Sequence, residues 1–336
     1  MFSLGENSFL NCTDFYTNDA TAWSHDMDDI QRFGIDLLCC WSGIEEALDR
    51  PAAVGGGQLL DYLFEETCRR DMSISLSSGF HHGFWECWDL KAAEDFSRRH
   101  INEMDRRYGS CPSFESWYLD YEIYINFGEE RPKIVDLYTA ITDLCHGRNG
   151  KPVVVSPFFM PDVGRGCGDH PYAEPGEYYD FWCEVLSRSH IDILSLQDNG
   201  GQHLSIITDE QRRAFSQAVI HACKDTGTTY WGNVEGSELP IESMDDYIAR
   251  FGFDTSVNDP RIRPYWKKTP LEKLKRKLAI AAPDAAKIMS WGYQEFFRPS
   301  GGAENRKNYG EYLEYRDEIL GRNVQKRWKS FLNPAN

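Results

Sequence analysis

"WYLDYEIY", residues 117–124, places Asp120 and Glu122 inside what otherwise reads as a buried strand. Burying carboxylates is costly unless they are paired or used, and the chain does so again in "YWGNVEGSE", residues 230–238. Strand alternation sets Tyr118, Asp120 and Glu122 on one face and Trp117, Leu119 and Tyr121 on the other. In the second stretch Thr229, Trp231, Asn233 and Glu235 share a face, with Glu235 where the strand should end.

Working outward from these two stretches, short apolar runs bounded by turn residues recur along the chain. Strands are predicted at 2–10, 35–41, 72–78, 116–122, 151–157, 191–198, 228–235 and 286–292. Helix-period segments separate them at 22–33, 57–70, 91–108, 130–147, 176–188, 208–226 and 270–282, and a last helix at 308–330 closes the chain. This alternation predicts a single (β/α)8 TIM barrel over residues 1–336, with elaborated βα loops. A doubly wound open sheet would want a glycine-rich phosphate fingerprint after its first strand. "VGGGQ" at 54–58 has no strand before it and reads as a loop. The stretch 236–269 reads as an elaborated loop after the seventh strand.

Composition narrows the function classes. Hydrophobic residues make up 41 % of 336 residues, ample for one large core. The net charge of −17 repels nucleic acid and anionic membrane surfaces. No run approaches a membrane span. The start, "MFSLGENSFLNCTDF", lacks the basic and apolar regions of a secretory leader, so a cytoplasmic protein is expected. None of the ten cysteines forms a CxxC pair, which leaves no zinc knuckle or redox motif. Adjacent Cys39 and Cys40 should point to opposite faces of their strand as buried thiols.

Barrel active sites collect where strands end. Here those ends carry Trp41, Ser78 followed by His81, His82 and Trp85, Glu122, Ser156, Asp198, Glu235 and Trp291. Glycoside hydrolysis needs two carboxyl groups flanking the scissile bond, one of them with a raised pKa. Glu122 and Glu235, ending the fourth and seventh strands, are the candidate catalytic pair. Asp120, one pleat deeper, is expected to support its neighbours. Gln197 and Asp198 should point to opposite faces, with Asp198 preferred as a ligand for sugar hydroxyls. Ser156 has neither an elbow motif nor an adjacent base, and reads as a polar wall. Adjacent histidines offer one ion poor geometry, so no metal site is expected at His81 and His82. Trp41, Trp85, Trp231 and Trp291 read as a sugar-stacking platform at one rim, with Asn233 beside them. The expected partner is a carbohydrate substrate, without a cofactor; oligomeric state is open.

Glutamates on strands four and seven resemble the clan of retaining glycosidases that carry their acid/base on strand four and nucleophile on strand seven. The resemblance implies Glu122 as acid/base and Glu235 as nucleophile, about 5–5.5 Å apart. That clan usually has Asn before the acid/base, where this chain has Tyr121; contact with the sugar 2-hydroxyl would then fall to Asn233 or Asp198. Trp291 resembles the tryptophan that floors the sugar pocket in many of these barrels. The blocks "YGSCPSFESWYLDYEI", "KPVVVSPFF", "IDILSLQDNGG" and "YWGNVEGSE" together resemble the glycosidase-like barrel family known as domain of unknown function 4434. The expectation is a retaining, exo-acting glycoside hydrolase on a small glycan. Its competitors are a metal-dependent sugar isomerase or epimerase on the same barrel, and a non-catalytic glycan-binding protein.

Overall fold

The computed structural model describes residues 12–15, 26–40, 56–81, 83–123, 130–161, 172–198, 205–252 and 261–332. Within them, eight parallel strands close into a barrel. They are β1 (Cys12–Phe15), β2 (Leu37–Cys40), β3 (Ser73–Ser77), β4 (Phe114–Leu119), β5 (Val153–Val155), β6 (Ile193–Gln197), β7 (Thr229–Asn233) and β8 (Ile288–Ser290). Closure comes from β1, which pairs with β2 on one side and with β8 on the other, Cys12 opposite Met289. The strand predicted at 2–10 lies outside the described residues, and β1 is the shorter "CTDF" that follows it.

The helices that cover this barrel are α1 (Met27–Phe33), α2 (Gly56–Arg70), the single turn α3 (Phe84–Cys87), α4 (Leu90–Tyr108), α5 (Glu130–Asn149), α6 (Pro175–Ser189), α7 (Asp209–Thr226), α8 (Met244–Phe251), α9 (Leu271–Ala281) and α10 (Ala303–Leu332). Their ends follow sequence chemistry. Thr208 and Gln211 form a reciprocal capping box at the start of α7, and Asp89 accepts the Ala92 amide at the start of α4. The stretch after β7 is built up as expected: Ser237–Glu238 pairs antiparallel with Lys267–Lys268, and α8 lies between them. None of the described helices is long and apolar enough to cross a membrane.

Alternation divides the apolar residues into two layers. Trp117, Leu119 and Tyr121 face the helices, while Tyr118, Trp231, Leu37, Val154 and Met289 fill the barrel interior. Cys39 belongs to the inner layer and Cys40 to the outer, so the two thiols are buried on opposite faces. One close approach governs the seventh strand. A Cβ on Gly232 would lie 2.9 Å from Ala281 Cβ and 3.1 Å from Ile288 Cδ1, so only glycine lets α9 pack this near β7.

Candidate active site

Glu122 and Glu235 both lie just past the C-terminal ends of their strands rather than within them. β4 ends at Leu119, and Asp120 to Glu122 form a tight turn in which the Glu122 amide donates to Asp120 O at 2.9 Å. Three neighbours fix this turn. Tyr138 OH donates to Tyr121 O at 2.6 Å, and the His81 amide donates to Tyr121 OH at 2.9 Å. Asp120 Oδ2 accepts Ser77 Oγ at 2.7 Å and the Gly79 amide at 3.1 Å. Gly79 has φ +92°, and a Cβ there would press on the buried ring of His100. His100 Nε2 in turn donates to Ser77 O at 3.1 Å; a carbonyl only accepts, which fixes that tautomer. Burial holds His100 at about 4, well below the usual imidazole range.

The Glu122 side chain is half-buried and held by two neutral donors. Tyr118 OH donates to Oε1 at 2.6 Å, and Gln197 Nε2 donates to Oε2 at 2.8 Å. Desolvation pushes its carboxyl above the usual range, and the two donors only partly offset this. A carboxyl so placed keeps its proton to higher pH, as a general acid must.

Gln197, and not only its neighbour Asp198, belongs to the site. It bonds both Glu122 and Ser156 O, the latter at 2.8 Å. Ser156 Oγ donates to Ser195 O at 2.7 Å and accepts Asn233 Nδ2 at 3.0 Å. A polar chain therefore runs from Tyr118 through Glu122, Gln197 and Ser156 to Asn233, crossing from β4 to β7. Alternation sets Tyr118 on the inner face, and its hydroxyl reaches Glu122, four positions on.

Glu235, 3 % exposed, lies two residues beyond β7. Its amide donates to Asp198 Oδ1 at 3.3 Å, and its carbonyl accepts Lys277 Nζ at 2.7 Å. Lys277 also pairs with Asp198 Oδ2 at 3.1 Å. Asp198, one residue past β6, thus faces Glu235 and Lys277 while Gln197 faces Glu122. Lys277 lies on α9, away from the strands that bear the glutamates, so strand patterns do not reach it. Its signal was a lysine in the apolar stripe of α9, among Leu274, Leu278 and Ala281.

The aromatic residues separate. Trp231 was expected at the rim, but it is packed in the barrel interior at 5 % exposure, with the Lys287 ammonium 5.5 Å from its ring centroid. It lies one pleat below Asn233, where ring volume fills the barrel. Trp291 is half-buried next to the Glu235–Gly236 segment, where the Gly236 amide donates to its carbonyl at 2.8 Å. Its ring meets Trp266 edge-on at 5.0 Å. Tyr121, at the position where the resemblance would place Asn, packs outward against Phe80 and Phe84. His81 is half-buried near Phe96. Trp85 lies on α3, just after β3. Trp41 and His82 lie outside the described residues. Among the described residues no three His, Cys, Asp or Glu side chains gather as a metal-holding group.

Similar architecture occurs in solved structures. One described as a "putative alpha-L-fucosidase" from Bacteroides thetaiotaomicron VPI-5482 superposes with a TM-score of 0.70 at 18 % identity, covering 94 % of this chain and 96 % of that one. An endo-1,4-beta-D-mannanase from Thermotoga petrophila RKU-1 gives 0.54 at 14 %, covering 92 % and 99 %. An endoglucanase catalytic domain from Thermobifida fusca gives 0.51 at 12 %, covering 93 % and 91 %. At such identities the likeness is one of fold, and the shared fold is the TIM barrel. No curated protein matches the chain. The family model described as "Domain of unknown function (DUF4434)" matches residues 8–302, and the chain belongs to that family.

Proposed function

We propose that this protein is a retaining, exo-acting glycoside hydrolase with Glu122 as acid/base and Glu235 as nucleophile. The observation that carries the reading is the pair of glutamates just past β4 and β7 at the C-terminal face of the barrel, differently surrounded. Glu122 is desolvated and, among the described residues, bonded by the neutral donors Tyr118 and Gln197, which suits a proton donor. Glu235 lies beside an ammonium, which suits an anion that attacks carbon. The long connections after β3, β5 and β7 support a closed pocket and exo action. Trp291, Trp85, His81, Trp41 and His82 would bind the sugar.

In the first half-reaction Glu122 transfers its proton to the glycosidic oxygen while a Glu235 oxygen bonds to the anomeric carbon. The C–O bond breaks, the alcohol leaves, and a glycosyl ester remains on Glu235. In the second half Glu122 takes a proton from water as the water oxygen attacks that carbon. The ester bond breaks, and both carboxyl groups return to their starting states. The chemistry needs no cofactor.

The test is a panel of aryl glycosides offered to wild type, Glu122→Ala and Glu235→Ala, with and without azide. The expected result is wild-type turnover, severe loss in both variants, and azide rescue of each. Rescue through Glu235→Ala should give a glycosyl azide of inverted configuration, and rescue through Glu122→Ala one of retained configuration. Full activity in both variants would end the proposal.

A further inference from the structure

Lys277 occupies a position in α9 where the helix stripe calls for an apolar residue, and its side chain is wholly covered. A buried ammonium is tolerated only when paired. The pairing here is specific: Nζ meets Asp198 Oδ2 at 3.1 Å and Glu235 O at 2.7 Å. Asp198 Oδ1 accepts the Glu235 amide at 3.3 Å. Both polar groups of the Glu235 main chain are thus held, one by each member of an ion pair. Thr269 Oγ1 adds a longer contact to the same carbonyl, at 3.4 Å.

Asp198 and Glu235 are the negative charges that act on Lys277, and Arg212 is the positive one. Arg212, buried on α7, donates Nε to Asp198 O at 3.1 Å and pairs through Nη1 with Asp209 at 3.2 Å. Asp209 is also met by Arg276 of α9 at 2.9 Å. Tyr230 of β7, facing Asp198, stays neutral because burial raises its hydroxyl far above the usual range. Burial pulls the Lys277 ammonium below the usual lysine range, while Asp198 and Glu235 push back and Arg212 opposes them. Glu122, on the other side of the barrel, bonds to Tyr118 and Gln197 instead.

We propose that Lys277 and Asp198 act as a charge-paired clamp that positions Glu235 and sets the net charge its carboxylate meets. Both are positioning residues. The clamp's catalytic consequence rests on the reading of Glu235 as nucleophile, while its effect on Glu235 itself does not. Removing the ammonium exposes Glu235 to the Asp198 charge, and removing the Asp198 charge leaves Glu235 facing the ammonium alone. The two variants must therefore move the titration of Glu235 in opposite directions.

The test is carboxyl titration by ¹³C NMR on the full chain labelled at glutamate Cδ, with the Glu235 signal assigned by its disappearance in Glu235→Gln. In Lys277→Met the Glu235 midpoint should rise by about one pH unit or more. In Asp198→Asn it should fall, and in the double variant it should return close to wild type. Unmoved midpoints, or shifts of one sign in both single variants, would overturn the clamp. Should Lys277→Met fail to fold, Asp198→Asn decides alone: a fall supports the clamp, and no change or a rise refutes it. A merely structural ion pair would lower Tm in both without opposed shifts. Turnover of aryl glycosides by wild type separates the two readings. Opposed shifts without any turnover refute the hydrolase and keep the clamp; turnover with unmoved midpoints refutes the clamp alone.

Discussion

The two sides of the barrel mouth solve one problem by different means. On the β4 side, Glu122 is held through its side chain by a phenol and an amide, and the turn below rests on Asp120, Ser77 and a neutral His100. On the β7 side, Glu235 is held through its main chain by a buried ion pair supplied from β6 and α9. Neutral donors leave a carboxyl free to gain and lose a proton, whereas fixed opposite charges hold an anion in place. The contrast teaches that two identical side chains at one barrel mouth are set apart by their supports.

Removing either carboxylate tests the contrast most severely. Glu235→Ala should lose roughly 10⁴- to 10⁶-fold in kcat for any leaving group. Glu122→Ala should lose about 10²–10⁴-fold on poor leaving groups, and far less in the bond-breaking step for aryl leaving groups that need no proton. A leaving-group series read against kcat/KM checks this. If Glu235→Ala were the leaving-group-sensitive variant, the roles would be exchanged.

His100 tests the neutrality of the β4 side. Its folded pKa of about 4 lies below the unfolded value of about 6.5, so the unfolded chain takes up the proton first as pH falls. The stabilisation is complete above pH 6.5, declines between 6.5 and 4, and in full amounts to about 3 kcal/mol. Urea unfolding followed from pH 7 to 4 should show this slope in wild type and a flatter one in His100→Gln. An unchanged slope in the variant would mean that His100 is not the group responsible.

Gly232→Ala acts on the opposite side. Its methyl would press on Ala281, one turn beyond Lys277 on the same helix face. A loss of about 1–3 kcal/mol is expected from such overpacking, read as a lower Tm. The shift of α9 should disturb the Glu235 titration and leave that of Glu122 unmoved.

The smallest effects concern the two neutral donors. Tyr118→Phe and Gln197→Leu each remove a hydrogen bond that favours the charged form of Glu122. Each should raise the alkaline limb of kcat/KM by about half to one pH unit and leave the acid limb in place. A shift of the acid limb instead would break the assignment.

How much of this was readable from the chain follows from the range of each interaction. The barrel was legible because alternation and helix periodicity repeat every few residues, and Tyr118 and Trp117 lie on the faces that alternation assigns. Depth was not legible. Alternation gives a side and not a level, so Trp231 was placed at the mouth when it fills the interior. The strand limits were also set too far along. With β4 ending at Leu119 and β6 at Gln197, the residues beyond follow turns rather than pleats; Asp198, preferred as the ligand for sugar hydroxyls, meets Glu235 and Lys277. Lys277 is 42 residues from Glu235, and no local pattern could join them. Only its misfit within its own helix stripe marked it.

The packed interior has a consequence for the order of events. Among the described residues, Tyr118, Trp231, Met289 and their neighbours pack the barrel axis, and Glu122 and Glu235 lie past the strand ends at the mouth. In the proposed reaction the released alcohol and the incoming water then share one doorway, and departure has to precede hydration. Any small alcohol waiting there competes with water for the glycosyl ester, and added methanol should divert part of the product to the methyl glycoside.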